Sequence, residues 1–282
     1  MQDGKALQAG TSHYLGTNFA KASGIKYQAQ EGGEQFAHTT SWGVSTRLIG
    51  GIIMTHGDDD GLRVPPKLAP WQVVILPMLR GNDDDAALVE YCEGLRATLA
   101  GQHALGEPVR VLLDTKPGKP AQKRWDWVRK GAPVIVEVGG RDMENGVVTL
   151  IRRDRLWDME TGKLNSQVPT REIAGQTIPG VLGDIQQALF TEAAERRDAN
   201  IATGIDSWDG VVEFFASNGK YPGWVEVQWA KPTGDALEQV VEKLKDQKLT
   251  VRNVPRDATP ADGTCIFTGK PAVERVYVAR AY

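Results

Sequence analysis

Residues 40–47 read Thr-Ser-Trp-Gly-Val-Ser-Thr-Arg, and an earlier segment, residues 8–13, reads Gln-Ala-Gly-Thr-Ser-His. A third segment, residues 55–66, reads Thr-His-Gly-Asp-Asp-Asp-Gly-Leu-Arg-Val-Pro-Pro. An apolar core does not require so much glycine, threonine, histidine, tryptophan and arginine close together, because polar residues are mostly exposed. We therefore interpret residues 1–70 as a region that carries a functional site.

Length and composition exclude several classes of protein. The chain has 282 residues, 41% hydrophobic and 24% charged, which suits one to three globular domains. No apolar run is long enough to span a membrane, and the N-terminus lacks the apolar region of a secretory signal. Two cysteines cannot form a disulfide framework, which favours a reducing, cytoplasmic location. The net charge is −3, so RNA binding would need a local basic patch.

The apolar pattern after residue 70 alternates between strands and helices. Residues 64–70 contain three prolines and predict an extended connector, because proline fixes φ and biases the preceding residue away from helix. We place a domain boundary there. The alternation beyond it predicts an α/β sheet. The predicted strands are 72–76, 109–113, 134–138 and 147–151, and the predicted helices are 84–100 and 120–130.

A third predicted domain begins with an amphipathic helix over residues 181–200, in which Leu182, Ile185 and Leu189 share one face. The overall prediction is a multidomain α/β and α+β protein divided into residues 1–70, 71–180 and 181–282. The remaining predicted elements are strands at 224–229, 251–254 and 275–279 and a helix at 235–245. The predicted core of this domain consists of Trp224, Trp229, Leu237, Val241, Leu244 and Phe267.

The three N-terminal segments, in this order, resemble prolyl-tRNA synthetases of the archaeal and eukaryotic-like type. The resemblance implies that residues 1–70 close a class II catalytic domain with motif 3, that 71–180 form an anticodon-binding domain, and that 181–282 form a small C-terminal domain. It also implies ATP-dependent activation of L-proline, with Mg²⁺ accompanying ATP, and transfer of proline to tRNA(Pro).

Class II motifs 1 and 2 have no match in the sequence. We therefore expect a C-terminal portion of a synthetase, beginning at an internal methionine and inactive alone, because removing half of an active site costs orders of magnitude in rate. In full-length members of the family, motif 1 builds a homodimer.

The resemblance assigns ATP contacts to Gln8, Thr11 and Arg47, and Arg47 matches the catalytic motif 3 arginine. Ser45 and Thr46 can cap the helix that follows, and a guanidinium beside a helix N-terminus suits an anion. The alternative for Arg47 is a surface arginine near a helix cap.

The same resemblance assigns the wall of the proline pocket to His13, Trp42 and Ser45. A flat indole suits the pyrrolidine ring, and a histidine can donate a hydrogen bond near the polar end of the substrate. The alternative for His13 is a structural histidine with satisfied hydrogen bonds. His56 and the acidic run Asp58–Asp60 suggest a metal site, but a second set of ligands is absent. We favour a solvated helix end and turn, and no metal.

Basic and aromatic residues are interleaved between residues 116 and 130, a composition suited to phosphates and unpaired bases. The predicted tRNA contacts are Lys123, Arg124, Lys130 and Arg141. The alternative is a solvated helix with its tryptophans packed on the sheet.

Residues 127–143 resemble the stretch with which relatives read anticodon guanines. Val128 and Ile135 replace the glutamate and arginine expected there, and only Arg141 keeps the chemistry. Residues 152–155 (Arg-Arg-Asp-Arg) are a second candidate for phosphate contact, with a solvated turn as the alternative.

The last domain of the family usually holds zinc with four cysteines. Here Cys265 remains, Thr268 replaces its partner, and residues 225–255 contain no cysteine, so we expect no zinc. Cys92 is expected in the core. The terminal Ala279–Tyr282 resembles a family terminus that folds back on the catalytic domain.

Two other functions remain open at this stage. The absent motifs, together with Val128 and Ile135, fit a non-catalytic tRNA-binding or regulatory paralogue. A synthetase-like enzyme that activates an amino acid for another pathway would keep Arg47 and Trp42 without needing anticodon readers.

Overall fold

The computed structural model describes residues 1–5, 7–217, 219, 222–256 and 260–280. The chain divides into two compact units: one contains residues 1–54 and 197–282, and the other contains residues 55–196. Within the described ranges, no helix is both long and apolar enough to cross a membrane.

The N-terminal part of the first unit is built on an antiparallel pair of strands. Its elements are β1 (Thr11–Gly16), α1 (Asn18–Ser23), β2 (Lys26–Gln28), β3 (Glu34–Phe36), β4 (Thr39–Gly43) and α2 (Arg47–His56). Strand β1 pairs with β4, and β2 pairs with β3, both antiparallel. This part buries little apolar surface: Tyr14 is 72% and Trp42 is 76% exposed.

The second unit contains a five-stranded sheet. Its strands and helices include β5 (Val73–Pro77), α3 (Asp85–Ala100), β6 (His103–Ala104), β7 (Glu107–Pro108), β8 (Val111–Leu113), α4 (Pro120–Lys130), β9 (Val134–Val138), α5 (Gly140–Glu144), β10 (Thr149–Arg152), a 3₁₀ turn (Arg153–Arg155), β11 (Ser166–Gln167) and α6 (Arg171–Ala199). The strand order is β11-β10-β9-β5-β8, with β5 parallel to β8 and β9 and the others antiparallel. Strands β5 and β9 are buried throughout, as largely apolar strands between two helical layers should be, and Glu137 is the one charged residue in them.

Both faces of this sheet are covered by helices. The apolar stripe of α3, predicted from sequence spacing, is buried at Leu88, Cys92, Leu95 and Leu99. Helix α6 packs in the same core, and helix α4 contributes Val128 to the core on the other face. Burial raises the pKa of Cys92 to about 12, as expected for a thiol packed among apolar side chains.

Helix α6 differs from its prediction. It begins at Arg171 rather than near residue 181, and it continues through Pro179. The backbone N–H of Ile173 donates to the Thr170 hydroxyl, which marks the N-terminus. Pro179 cannot donate a backbone hydrogen bond within the helix, which costs free energy. Ile178 and Leu182, on either side of it, are buried, and this burial favours a helix that continues through the proline. The expected boundary at residues 180/181 therefore falls inside a helix.

The C-terminal part of the first unit is a four-stranded sheet with two helices. Its elements are β12 (Ile201–Ala202), α7 (Trp208–Ser217), β13 (Trp224–Trp229), α8 (Asp235–Asp246), β14 (Leu249–Val251) and β15 (Glu274–Arg280). The order is β12-β13-β15-β14, with β12 parallel to β13 and the other pairs antiparallel.

Three of the six residues predicted for the core of this domain are confirmed. Trp229, Leu244 and Phe267 are buried. Leu237 is 38% and Val241 is 51% exposed, so their assignment to the core was wrong. Trp224 is only partly buried, because its strand directs Val225, Val227 and Trp229 to the core instead. Helix α8 turns Val240 and Leu244 inward.

The connector before β5 belongs to the second unit rather than to a boundary. Leu62 N–H donates to the Arg129 carbonyl (3.0 Å), and Val64 N–H donates to the Gly131 carbonyl (3.3 Å). Gly131 ends α4 with φ +78°, and a Cβ there would lie 2.8 Å from Leu62 and Val64. A glycine is therefore required for the connector to approach α4 so closely.

A buried ion pair fixes the start of this connector. The Arg153 side chain is 1% exposed, and its two terminal nitrogens donate to the Asp58 carboxylate at 2.8 and 2.5 Å. Arg153 Nε donates to the Val128 carbonyl at 3.0 Å. Burial alone would raise the pKa of Asp58, but the hydrogen bonds and charge of Arg153 outweigh it and lower that pKa. The expected turn at Asp58–Asp60 is present, and the Asp58 side chain is 36% exposed, but the sequence did not predict its pairing with Arg153.

Replacing Asp58 by asparagine should destabilise the second unit by roughly 3 kcal/mol, because it leaves a buried guanidinium without its counter-ion. The adjacent exposed Asp59→Asn is the matched control and should change stability by less than about 0.5 kcal/mol. Urea unfolding of the three proteins measures both effects. Equal stabilities for the two variants would show that the ion pair contributes nothing.

Candidate functional site

The register of the β1–β4 pair decides which predicted substrate contacts share a face. Thr11 lies opposite Gly43, Ser12 opposite Trp42, and His13 opposite Ser41. Directly opposed residues project to the same side, and successive residues alternate. Thr11, His13 and Ser41 therefore share one face, whereas Trp42 lies on the other face with Ser12. His13 and Trp42, which were both predicted to line the proline pocket, therefore project from opposite faces of the hairpin.

Two of the predicted ATP contacts lie together. Gln8 Nε2 donates to the Thr11 hydroxyl at 3.0 Å. Because Thr11 and His13 are two residues apart on one strand, Gln8 is held on the His13 face of the hairpin. All three side chains are solvent-exposed or only partly buried, so this face is open to a ligand.

Arg47 opens the ten-residue helix α2. Its backbone N–H donates to the Ser45 hydroxyl at 3.3 Å, and the N–H of Leu48 donates to the Ser45 carbonyl at 3.2 Å. Ser45 thus caps the N-terminal end of helix α2, as the sequence predicted. The exposed Arg47 guanidinium lies at the positive end of the helix dipole, a position that favours an anion and fits a nucleotide phosphate.

His56 lies at the other end of α2 and is partly buried. Burial lowers its pKa, and the positive charges of Arg63 and Arg196 lower it further against the opposing effect of Glu192. Arg63 donates to the His56 carbonyl at 2.6 Å and to both oxygens of Glu192. Among the described residues, no group of three His, Cys, Asp or Glu side chains could hold a metal ion.

The predicted cations on the first turn of α4 are engaged within the second unit. Lys123 Nζ donates to the Asp114 and Lys116 carbonyls at 2.6 and 2.9 Å. Arg124 forms a two-pronged pair with the buried Glu137, at 2.6 and 2.7 Å. Asp114 and Glu137 were not predicted as their partners, although a carboxylate inside an apolar strand, as at Glu137, indicates that a cation lies nearby.

The other two predicted tRNA contacts are exposed but lie apart. Lys130 is on the last turn of α4, with its ammonium 4.4 Å from the ring centre of Trp127. Arg141 is in the first turn of α5, directly after β9. Helix α4 connects the parallel strands β8 and β9, so its last turn is at the opposite edge of the sheet from the end of β9.

A cationic edge forms where the parallel strands end, which is the usual ligand side of such sheets. It consists of exposed side chains that have no hydrogen-bond or ion-pair partner within the described part of the chain. They are Arg80, Lys116, Lys119 and Arg141. Arg80 was not predicted from the sequence, because only the sheet topology places the loop after β5 beside Arg141. An acid closes this loop: the backbone N–H groups of Arg80 and Gly81 donate to the carboxylate of Asp85, the first residue of α3.

Two positions that align with the anticodon-reading residues of prolyl-tRNA synthetases are closed to solvent. Val128 and Ile135 are both 0% exposed and pack in one core cluster. They cannot contact RNA from there. Arg153, in the second candidate phosphate cluster, is likewise buried on Asp58, and Arg152 is paired with Asp154 at 3.0 and 2.8 Å. The prediction of phosphate contact by Arg153 was wrong.

Cys265 occupies a tight turn without a second cysteine. It is buried, and its N–H donates to the Lys270 carbonyl at 2.8 Å. Burial alone would raise its pKa, but hydrogen bonds from the Thr268 hydroxyl and the backbone at Ala230, Phe267 and Thr268 lower it. Thr268 thus supplies a hydrogen bond at the position where a second thiolate was expected in the family. Of the predicted docking terminus, Ala281 and Tyr282 lie outside the described residues.

Known proteins similar to this chain include an anticodon-binding family and several ligases. Residues 72–169 match the family model described as an anticodon binding domain. The whole chain is 64% identical to a proline–tRNA ligase from Erythrobacter litoralis and covers 55% of it. It is 59% identical to the proline–tRNA ligase of Novosphingobium aromaticivorans (55% covered) and 44% identical to that of Bdellovibrio bacteriovorus (54% covered). The chain spans about half the length of the curated relatives it matches, and the matched part is their C-terminal half.

The second unit should lose stability as the pH falls below about 6.5, the ordinary pKa of histidine. The folded state lowers the pKa of His56, so below that pH the unfolded state binds more protons and the free energy of unfolding decreases. His56→Gln should flatten this pH dependence between about pH 7 and 5.5, whereas the exposed His103→Gln should keep it. Urea unfolding at these pH values measures the slopes. An unchanged slope in His56→Gln would contradict the assignment.

Arg124→Gln should cost about 3 kcal/mol of stability, because Glu137, only 5% exposed, would lose its counter-ion. Arg141→Gln removes the same charge from an exposed position and should cost less than about 0.5 kcal/mol. Urea midpoints of the two variants give the comparison. If both variants were as stable as the wild type, the Arg124–Glu137 pair would have no structural role.

Proposed function

Because the chain matches the C-terminal portion of prolyl-tRNA synthetases over its whole length, we propose that it completes the ATP and proline site of such an enzyme and holds tRNA(Pro). The observation that carries the proposal is the 64% identity over all 282 residues to a proline–tRNA ligase. The proposed reaction joins ATP and L-proline to prolyl-adenylate with release of pyrophosphate, and then transfers the prolyl group to tRNA(Pro) with release of AMP.

In this proposal the formation of prolyl-adenylate depends on neutralising the phosphate charge and on positioning the two reactants. The proline carboxylate attacks the α-phosphorus in line, so no general base is needed, and the phosphate charge must be balanced. Arg47 and the first turn of α2 neutralise part of that charge, and Gln8 and Thr11 hold the nucleotide. When bound, Mg²⁺ would balance the remaining charge.

The proposed proline contacts are His13, Trp42 and Ser45. The hairpin register supports His13 most directly, because it shares a face with Thr11 and so with the proposed nucleotide site. Ser45 is adjacent to the phosphate-binding turn of α2. Trp42 projects from the opposite face of the hairpin and belongs to this pocket only if the pocket extends around the end of β4.

For tRNA, the proposal uses the exposed cations of the second unit. Arg141 and the other members of the cationic edge contact the phosphate backbone, and Lys130 offers a separate contact beside Trp127. Lys123 and Arg124 act mainly through the loop and strand that they hold in place. We also propose that the complete enzyme is a cytoplasmic homodimer, as the family resemblance implies.

Proline-dependent ATP–pyrophosphate exchange tests the proposal. We expect no exchange by the 282-residue chain alone, and exchange when it is fused to the N-terminal half of the Erythrobacter litoralis relative. In the fused protein, Arg47→Ala should lower the rate by about 100-fold, as removal of one charge-stabilising group usually does.

Exposed Arg80→Ala, on the cationic edge, is the control variant and should leave exchange unchanged, because it lies outside the proposed ATP site. Exchange by the isolated chain would contradict the expected inactivity. A folded fusion that binds tRNA but gives no exchange would favour the non-catalytic tRNA-binding function.

A further inference from the structure

Helix α8 carries more apolar surface than its sheet buries. Val240 and Leu244 are buried in the core, but Leu237 and Val241 are 38% and 51% exposed. Residues three and four positions apart lie on one side of a helix, so Leu237, Val241 and Leu244 form one continuous apolar stripe. A contiguous apolar surface that remains accessible to solvent is typical of a binding site.

This stripe lines a cavity of about 640 Å³ in the C-terminal part of the first unit. Trp229 and Leu249, which are almost fully buried, line the cavity from the sheet. The other lining residues are also apolar, except Lys245, Lys248 and Thr250. Ligand cavities in proteins have volumes of about 300–1,000 Å³ and apolar walls with a few polar groups. The size and the lining of this cavity therefore suit a small, largely apolar molecule.

The charged residues that line the cavity are two lysines, and they lie together. The backbone N–H of Lys248 donates to the Lys245 carbonyl at 2.9 Å, so both residues belong to the turn at the end of α8. Both side chains are exposed, and neither forms an ion pair within the described part of the chain. The nearby acids Glu238, Glu242 and Asp246 do not line the cavity. This end of the cavity therefore favours an anion, because a carboxylate there can accept charge-assisted hydrogen bonds.

The cavity has a defined length along the helix. Its lining residues on α8 extend from Leu237 to Lys245, which corresponds to about 12 Å of helical rise. The end at Leu237 is apolar, and the end at Lys245 is cationic. An extended decanoate ion has a similar length and the same division, with an apolar chain that ends in one carboxylate.

We propose that this cavity binds a free, unbranched medium-chain fatty acid. The acyl chain lies along Leu237, Val241 and Trp229, and the carboxylate pairs with Lys245 and Lys248. The lysines select a carboxylate over an uncharged alcohol of equal length, and the length of the cavity limits the chain. The site uses none of the residues assigned to ATP, proline or tRNA, so the proposal does not depend on the proposed function.

Isothermal titration calorimetry of the full 282-residue chain tests this site. The probes are hexanoate, octanoate, decanoate and tetradecanoate, with decanol as the uncharged analogue. Affinity should rise about fourfold for each methylene from hexanoate to decanoate, because each one buries further apolar surface. Tetradecanoate should bind no more tightly than decanoate, since its last methylenes extend beyond Leu237. Decanol should bind about tenfold more weakly than decanoate, because it forms no ion pair with the lysines.

A pair of valine variants tests the apolar wall. Val241→Glu places a negative charge on the wall beside the acyl chain, and it should abolish decanoate binding. Val254→Glu makes the same change at a valine of similar exposure, 47%, outside the cavity, and it should leave binding unchanged.

A pair of double lysine variants tests the cationic end. Replacing Lys245 and Lys248 by glutamine should weaken decanoate binding about tenfold and leave decanol binding unchanged. Replacing Lys243 and Lys270, two exposed lysines of the same domain outside the cavity, removes the same charge and should change neither.

Several results would overturn the proposal. Absence of decanoate binding, retention of binding by Val241→Glu, or an affinity that keeps rising to tetradecanoate would exclude a site of defined length in this cavity. Equal binding of decanoate and decanol would exclude a fatty-acid site. The fusion with the N-terminal half of the Erythrobacter litoralis relative should bind decanoate as tightly as the chain does. Loss of binding in that fusion would show that the rest of the longer protein covers the stripe instead.

Discussion

The burial of Arg153 is the constraint from which much of the second unit follows. A guanidinium stays protonated in a protein, so an arginine that is 1% exposed must have a carboxylate and further acceptors beside it. Asp58 and the Val128 carbonyl supply them. The connector must therefore lie against the end of α4, and the close approach at Gly131 makes this possible. This is why the second unit begins near residue 55, well before the proline-rich stretch that composition marks as a boundary.

A second group of charges attaches α6 to the same connector. Glu192 accepts from Arg63 and Arg196, and their hydrogen bonds and charges hold the pKa of this carboxylate below its ordinary value. Arg196 also donates to the Thr55 carbonyl. The long helix thus serves two purposes: its first half fills the core of the sheet, and its second half fixes the residues that precede the sheet in sequence. A helix interrupted at Pro179 could not both fill the core and fix these residues. Tertiary packing therefore outweighs the low helix propensity of proline at this position.

Local patterns predicted the elements that are buried on all sides. Residues 134–138 are apolar enough to specify a central strand, and the α3 stripe is unambiguous at helical spacing. Helix α8 shows the limit of this reasoning. Leu237, Val241 and Leu244 form one plausible apolar stripe and Val240 with Leu244 another, and only the position of the sheet decides between them. The pairing of His13 with Ser41 rather than Trp42 likewise depends on strand register, which composition does not reveal.

The charges of α4 explain why the candidate site was only partly predictable. Its basic composition indicates an RNA-facing helix, yet Lys123 and Arg124 serve Asp114 and Glu137, which come from neighbouring strands. Glu137 within Val-Ile-Val-Glu-Val was the available signal, since a buried carboxylate requires a cation. The exposed cations on the last turn of α4 are Arg129, which pairs with Asp126, and Lys130, and both lie at the opposite edge of the sheet from Arg141. A chain with a net charge of −3 can therefore still present separate cationic surfaces, because acids such as Asp114 and Glu137 are paired inside the second unit and do not lie on those surfaces.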